Sequence, residues 1–411
     1  MNSRNCRFCQ HALSHSFADL GMSPLSNAYL TTDQLYRMEP FYPLHAYVCD
    51  ECFLVQLEEF ESPQNIFSDY AYFSSYSDTW LKHSQEYAGK AITQFGLTGS
   101  SLVIEIASND GYLLQYFKRA EILVLGIEPA ENVAEAARKA GIPTQVDFFG
   151  KKLAAQLVNQ GKQADLLIGN NVLAHVPDLN DFVAGMKILL KPEGSITLEF
   201  PHLLRLMENN QFDTIYHEHF SYFSFLTVEK VLAYHGLRVF DVEELTTHGG
   251  SLRIYACHAE NKEQPLRNSL AGVRRQETLA GLDHLKAYTA FAEQVRETKR
   301  ALLEFLIDAR RKGKSVVGYG APAKGNTLLN YCGIGTDFLD YTVDRNPHKQ
   351  GRFLPGTHIP IHAPEKISQT KPDYVLILPW NLKAEIMEQM AIIRNWGGEF
   401  VVPIPRAEVC A

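Results

Sequence analysis

Twice the chain runs the same course: an apolar run, a loop of small residues, a helical stretch, then a second apolar run ending in an acid. The first pass is Ser101-Leu-Val-Ile-Glu-Ile-Ala-Ser-Asn-Asp-Gly111, followed by Glu121 to Ile127 and Glu128. The second is Lys314-Ser-Val-Val-Gly-Tyr-Gly-Ala-Pro-Ala-Lys324, followed by Asp340-Tyr-Thr-Val-Asp344. A short, uninterrupted apolar run predicts a strand buried on both faces in a parallel sheet. Parallel neighbours require crossover connections, usually helical. The pattern therefore predicts an α/β protein with two Rossmann-like units and ligands at the carboxyl ends of their strands. A third strand in each half supports this. Asp165 to Gly169 runs into the polar loop Asn170 to His175, and Asp373 to Leu378 runs into Asn381. Asp344 thus stands where Glu128 stands, and Asn381 where Asn170 stands. Lys191-Pro-Glu-Gly-Ser195 reads as a turn before the strand Ile196 to Phe200.

At 411 residues the chain calls for roughly two or three domains. The expected divisions are 1–68, 69–260 and 261–411. Between Arg267 and Lys312 there is no proline, and apolar residues recur at helical spacing, which predicts one long helix or two. The formal charge of -8, without a basic block, argues against nucleic acid as a partner. The chain shows neither an opening apolar run nor one of membrane-spanning length, so neither a signal peptide nor a membrane partner is expected. Seven cysteines, four of them paired, fit a reducing compartment, and a cytoplasmic protein is expected.

Cys6-Arg-Phe-Cys9 and Cys49-Asp-Glu-Cys52 form two CxxC pairs. Each spacing lets two thiolates of one turn face one ion, and two such turns complete a tetrahedral four-thiolate zinc site. With all four positions filled by cysteine, the zinc is expected to be structural. A redox CxxC or unrelated buried cysteines are the competing readings. Near the middle of the chain, Tyr216-His217-Glu218-His219 packs four ionisable or hydroxylic side chains together. Such residues are the usual general acids and bases. A polar loop whose histidines only hydrogen-bond would look the same.

The loop after the first strand is not G-x-G-x-x-G. That disfavours a dinucleotide, and a donor with an amino-acid moiety in place of phosphates fits it better. Glu105-Ile-Ala-Ser-Asn-Asp-Gly111 followed by Gly126-Ile-Glu-Pro129 resembles the first two motifs of class I S-adenosylmethionine-dependent methyltransferases. The chain as a whole is similar to the sugar C-methyltransferases that act on nucleotide-linked keto-deoxysugars. The likeness takes in the paired cysteines, Ser68-Asp-Tyr-Ala-Tyr72, Asn170 to His175, the Tyr-His-Glu-His stretch, His248-Gly-Gly-Ser-Leu-Arg253 and Val317-Gly-Tyr-Gly-Ala-Pro-Ala-Lys324.

The resemblance implies an N-terminal zinc-binding domain, a class I methyltransferase domain and a C-terminal Rossmann-like domain. It implies that Glu105, Ala107, Asn109 and Gly111 border the methionine part of S-adenosylmethionine, with Asn170 along the same edge. Glu128 would take the ribose, and Asp147 and Phe148 would flank the adenine. The substrate would be a nucleoside-diphosphate keto-sugar, methylated at C3 of a 4-keto-2,6-dideoxy-type sugar. His219 is the candidate base, because an imidazole titrates near neutral pH. Glu218 would orient or polarise a neighbour. Tyr216, Tyr70 and His175 would donate hydrogen bonds to the keto oxygen as charge develops. His248, Arg253, Tyr319, Lys324, Asn326 and Asp344 are the candidate substrate-binding residues, although Arg253, in an expected strand, could equally be a structural ion pair. A methyltransferase acting on oxygen or nitrogen is the alternative reading, and a zinc-ribbon scaffold with an inactive nucleotide fold is a more distant one. A monomer is compatible with this plan.

Overall fold

The computed structural model describes residues 4–62, 74–76 and 78–410. In chain order the strands are β1 (His15–Ser23), β2 (Tyr42–Val48), β3 (Val55–Leu57), β4 (Leu102–Ile106), β5 (Leu123–Ile127), β6 (Thr144–Gln145), β7 (Ala164–Asn170), β8 (Leu190–Pro201), β9 (Ser221–Tyr222), β10 (Leu237–Leu245), β11 (Ser251–His258), β12 (Val316–Tyr319), β13 (Thr342–Val343), β14 (Ile361–His362), β15 (Tyr374–Ile377), β16 (Glu399–Val402) and β17 (Glu408–Cys410). They fall into two compact units, each assembled from separated segments. The first comprises Met1–Leu13, Cys49–Leu203 and Glu218–His284; the second comprises Ser14–Val48, Leu204–His217 and Leu285–Ala411.

In the first unit a seven-stranded sheet has the order β10-β11-β8-β7-β4-β5-β6. The five strands from β8 to β6 are parallel, while β11 runs antiparallel to β8 and β10 antiparallel to β11. The chain steps outward from β4 through β5 to β6, then returns to β7 on the other side. That reversal puts a topological switch point between the carboxyl ends of β4 and β7, where open α/β sheets bind ligands. Alternate residues of the central strands feed opposite cores, as a period of two requires. Ile104, Ile106 and Leu167 pack with Leu153, Leu157, Phe182, Met186 and Val228. Val103, Leu166 and Ile168 pack with Tyr87, Leu114 and Phe117.

Residues 191–194 are not the turn that the sequence predicts. Strand β8 runs through them, pairing Leu190 with Ala164 and then Ser195 with Leu166. The single β7 residue between those pairs, Asp165, faces residues 191–194 on β8, so the excess bulges outward. Lys191 Nζ pins the bulge to Asp165 Oδ2 at 2.7 Å.

The second unit repeats the plan in smaller form, with the order β14-β13-β12-β15-β16-β17. All its strands are parallel except β17, which pairs antiparallel to β16. Its switch point lies between β12 and β15. The helical stretch after residue 261 is two helices, Ser269–Leu279 in the first unit and Leu285–Arg311 in the second, parted at Gly281 (φ 80). The antiparallel hairpin β1–β2 packs on the longer helix, where Phe17 stacks on Phe291 at 4.7 Å. Among the described residues no helix is long and apolar enough to cross a membrane.

Candidate active site and zinc centre

The sulfurs of Cys6, Cys9, Cys49 and Cys52 all lie within 4.8 Å of one another. Cys6 to Cys52 and Cys9 to Cys49 are each 3.5 Å apart. A tetrahedral zinc with bonds of about 2.3 Å has sulfur–sulfur edges of about 3.8 Å, so the cluster fits that ion. Both pairs use the same turn. The amide of Gln10 donates to the Cys6 carbonyl and that of Phe53 to the Cys49 carbonyl, each at 2.9 Å. Gln10 and Phe53 both take left-handed backbone conformations, φ 65 and 63. Gln56 Nε2 donates to Cys6 Sγ at 3.2 Å. Hydrogen bonds from Cys49 and Cys52 hold the Cys6 thiol far below its ordinary range.

At the carboxyl end of β4 the loop turns through three left-handed residues, Ala107 (φ 56), Asn109 (φ 49) and Gly111 (φ 81). The glycine answers to the protein's own packing: a Cβ at Gly111 would sit 2.8 Å from Ile142 Cγ1. Glu128, just past β5, closes the loop by accepting the amides of Asn109 (3.0 Å) and Ala130 (2.9 Å). Burial raises the Glu128 carboxyl to about 6 against those two bonds. Glu105 is completely buried beside the Tyr112 hydroxyl, which gives it a hydrogen bond. Burial pushes its carboxyl well above the ordinary range. Ser108 Oγ and Asp110 Oδ1 are buried without hydrogen-bond partners among the described residues, and Asn170 lies against the same Tyr112 hydroxyl. Buried polar atoms are nearly always satisfied. This group of acceptors at the switch point fits a ligand carrying an ammonium group and hydroxyls, as S-adenosylmethionine does. Asp147 and Phe148 lie exposed after β6, Phe148 at 40%.

Of the Tyr-His-Glu-His stretch, Glu218 and His219 belong to the first unit and Tyr216 and His217 to the second. Residues 218–222 are clamped by backbone bonds. The Phe220 amide donates to the Ala174 carbonyl at 2.7 Å, the Leu57 amide donates to the Phe220 carbonyl at 3.0 Å, and Tyr222 pairs with Val55. The clamp sets the His219 ring edge-on to His175 at 4.7 Å, with Tyr222 at 6.1 Å. His175 closes the loop that leaves β7 after Asn170. Burial lowers its imidazole to about 4, against a hydrogen bond with the Glu218 backbone. It is therefore neutral at physiological pH. His217 is 5% exposed, and its Nε2 lies 3.2 Å from the Pro43 carbonyl, so packing accounts for it. Tyr70 and the motif Ser68 to Tyr72 fall outside the described residues.

Arg253 takes the ion-pair side of its two sequence readings. It is 3% exposed; its Nη2 lies 2.6 Å from Glu199 Oε2 and 2.9 Å from His83 Nε2, and its Nη1 lies 3.5 Å from Glu243. Thr247 Oγ1 donates to Glu199 Oε1 at 3.0 Å, which ties the His248-Gly249-Gly250 turn to the same network. His248 has φ 55; its ring lies 5.3 Å from Trp80, with Nε2 3.3 Å from Asn171 Nδ2. Sequence reasoning missed His83, Trp80 and Glu199. The one available signal was an acid, Glu199, inside an apolar strand.

In the second unit Asp344 repeats the part of Glu128. It accepts the Ala321 amide from the loop after β12 and the Asn346 amide two residues on, both at 2.8 Å. Lys324 Nζ reaches Asn381 Oδ1 at 2.6 Å, so the structure brings together the lysine after β12 and the asparagine after β15 that the sequence set opposite Asn170. Asn326 is 1% exposed and donates to the Ser26 carbonyl at 2.6 Å. Tyr319 lines a cavity of about 570 Å³ with Arg345, Gln350, Pro364, Gln389 and Met390.

A sheet with this strand order, an acid closing the first loop and a polar edge at the switch point define an S-adenosylmethionine-dependent methyltransferase. Residues 6–67 match a zinc-binding domain, 80–242 a methyltransferase domain, and 246–405 the family described as C-methyltransferase C-terminal domain. The chain is 35% identical over 404 residues to the C-methyltransferase NovU of Streptomyces niveus, covering 98% of this chain and 96% of that one. It belongs to this C-methyltransferase family. A ubiquinone biosynthesis O-methyltransferase of Bartonella quintana is 25% identical over 93 residues, 22% of this chain and 38% of that protein. Magnesium protoporphyrin IX methyltransferase of Synechocystis PCC 6803 superposes with a TM-score of 0.36 at 16% identity, over 47% of this chain and 92% of that one, too slight a likeness to bear on function.

Proposed function

We propose that this C-methyltransferase acts at C3 of a nucleoside-diphosphate-linked 4-keto-2,6-dideoxy-type sugar, by way of an enolate. The observation that carries the reading is the placing of His219 against His175 on the loop that leaves β7 directly after Asn170. It puts a titratable imidazole a few residues from the donor edge. His175, lowered to about 4 by burial, is too weak a base at neutral pH but can still donate through its neutral N–H. Deprotonation therefore falls to His219. The C3 proton goes to His219, and the electron pair moves into the enolate. Tyr216 and His175, with Tyr70, donate to the C4 oxygen as it gains charge. Glu218 orients the base. S-adenosylmethionine, when bound, supplies an activated methyl group. Glu105, Ala107, Asn109, Gly111 and Asn170 would hold its methionine part, Glu128 its ribose, and Asp147 and Phe148 its adenine.

The substrate's nucleotide is assigned to the second unit, with Tyr319, Lys324 and Asp344 as its binding residues and His248 facing the sugar; Asn326, buried with its amide on the Ser26 carbonyl, serves the packing instead. Arg253 acts from behind, holding Glu199 and the 247–250 turn. Replacing His219 with Asn is expected to lower kcat by about a thousandfold or more, as loss of a general base does, while calorimetry shows unchanged S-adenosylmethionine affinity. Near wild-type turnover in that variant would remove His219 from the mechanism. NMR of the product settles carbon against oxygen: a methyl on a quaternary or branched ring carbon is expected, and a methoxy signal would overturn the reading.

A further inference from the structure

Asp213, in the short helical turn before the Tyr216–His219 stretch, is completely buried. Its Oδ2 accepts the Trp380 indole N–H at 2.7 Å. The backbone amides of Asp213 and Thr214 also donate to its carboxyl. The other side of the same indole carries Lys324, whose Nζ lies 4.4 Å from the ring centroid. An indole has a negative face and a positive N–H edge. A cation on the face and a carboxylate at the edge both suit that polarity, and together they fix the ring. Asn381 Oδ1, 2.6 Å from Lys324 Nζ, holds the ammonium from a third side.

Two loops of the second unit are locked to make this arrangement. Gly320 (φ 90) lies so close to Pro379 that a Cβ would stand 2.5 Å from its Cδ. The loop after β12, which leads into the helix Ala323–Cys332 bearing Lys324, and the loop after β15, carrying Trp380 and Asn381, therefore keep a fixed distance at the switch point. The segment bearing Asp213 is fastened to the same body. Thr327 Oγ1 donates to the Ile215 carbonyl at 3.2 Å, and the Phe212 ring meets Tyr331 edge-on at 5.3 Å.

We propose that Asp213 and Trp380 are positioning residues that hold the Lys324 ammonium, charged and aimed, for a phosphoryl group of the substrate. The proposal rests on the assignment of the nucleotide to this unit. Burial lowers the Lys324 amine to about 8, and Asp213 is the charged group that opposes this. Burial likewise raises Asp213 to about 6, against Lys324 and the Trp380 N–H. The other titratable group beside Asp213 is Cys332, whose thiol burial pushes up to about 12, so it stays neutral. The half-buried Lys324 amine would lose more of its charge near neutral pH without a counter-charge, and a neutral amine attracts no phosphate.

The test follows acylation of Lys324 by an amine reagent against pH in the full-length protein, read by peptide mass spectrometry. In Asp213→Asn the apparent lysine pKa is expected to fall, so acylation at pH 7.5 should rise several-fold. Trp380→Phe, which removes the N–H that stabilises the carboxylate, should shift it in the same direction. An unchanged thermal midpoint and circular dichroism spectrum certify folding, and if Asp213→Asn fails that check the Trp380→Phe variant decides. Inorganic pyrophosphate should protect Lys324 in the wild type and much less in the variants. In steady state KM for the nucleotide sugar should rise about tenfold with little change in kcat. An unaltered acylation profile in the variants, or no protection by pyrophosphate in the wild type, overturns the proposal. If the nucleotide sugar is not turned over but the acylation results hold, the substrate assignment fails and the positioning of Lys324 stands.

Discussion

Glu199 is a carboxylate near the carboxyl end of β8, and it is completely buried. Burial alone would raise its pKa, but His83 and Arg253 hold it below the ordinary glutamate value of 4.5. A depressed folded value means stability that is present above the unfolded pKa and lost as pH falls below it. Glu199→Gln leaves the buried Arg253 short of its main counter-charge, and breaking such a pair costs about 3 kcal/mol or more. The expected outcome is a lower denaturant midpoint at pH 7, with the gap to wild type closing as pH drops below 4.5; a constant gap would rule out the ion pair as its source. Other single residues are answered by packing. Gly126 must be glycine because a Cβ would lie 2.3 Å from Ser108 Oγ, and Asn326 spends its amide on a backbone carbonyl. Neither reason is visible in sequence, because each depends on a residue brought in from elsewhere in the chain.

At the scale of elements, the fold is built from devices used twice. The two zinc turns share their hydrogen bonds and their left-handed residues. The two sheets share a switch point, and Glu128 and Asp344 each close it by accepting one amide from the first loop and one from two residues on. A short carboxylate at a strand end reaches only those amides, so one geometry recurs. The knuckles at 6–9 and 49–52 come from separate stretches of chain and meet at four sulfurs, where metal binding supplies folding energy. Cys49→Ser, or treatment with a strong chelator, is expected to release about one zinc per chain by metal analysis and to lower the thermal midpoint by several degrees or more. A chain that keeps its melting behaviour after losing zinc would show that the knuckles fold unaided.

For the whole molecule the main fact is interleaving. Residues 14–48 and 204–217 belong to the same unit as 285–411, although they precede it by most of the chain. In that unit Phe17 is covered by Phe291, and Asp213 by Trp380. A chain truncated after His284 should therefore expose these apolar segments and aggregate, judged by size-exclusion chromatography. A monodisperse truncated protein with full S-adenosylmethionine affinity would contradict this.

The sequence by itself determined both Rossmann-like sheets, the four-thiolate centre and the acids at the strand ends. Each of these is written locally, as an apolar run, a spacing between cysteines or a residue at the end of a strand. Only the tertiary structure decided that Arg253 is engaged by Glu199 and His83, that His217 packs on Pro43, that residues 191–194 bulge within a strand, and that Asp213 and Trp380 stand behind Lys324. These contacts join residues tens to hundreds of positions apart. Their partners are chosen by how the sheets and helices close on one another, and a one-dimensional pattern carries no record of that choice.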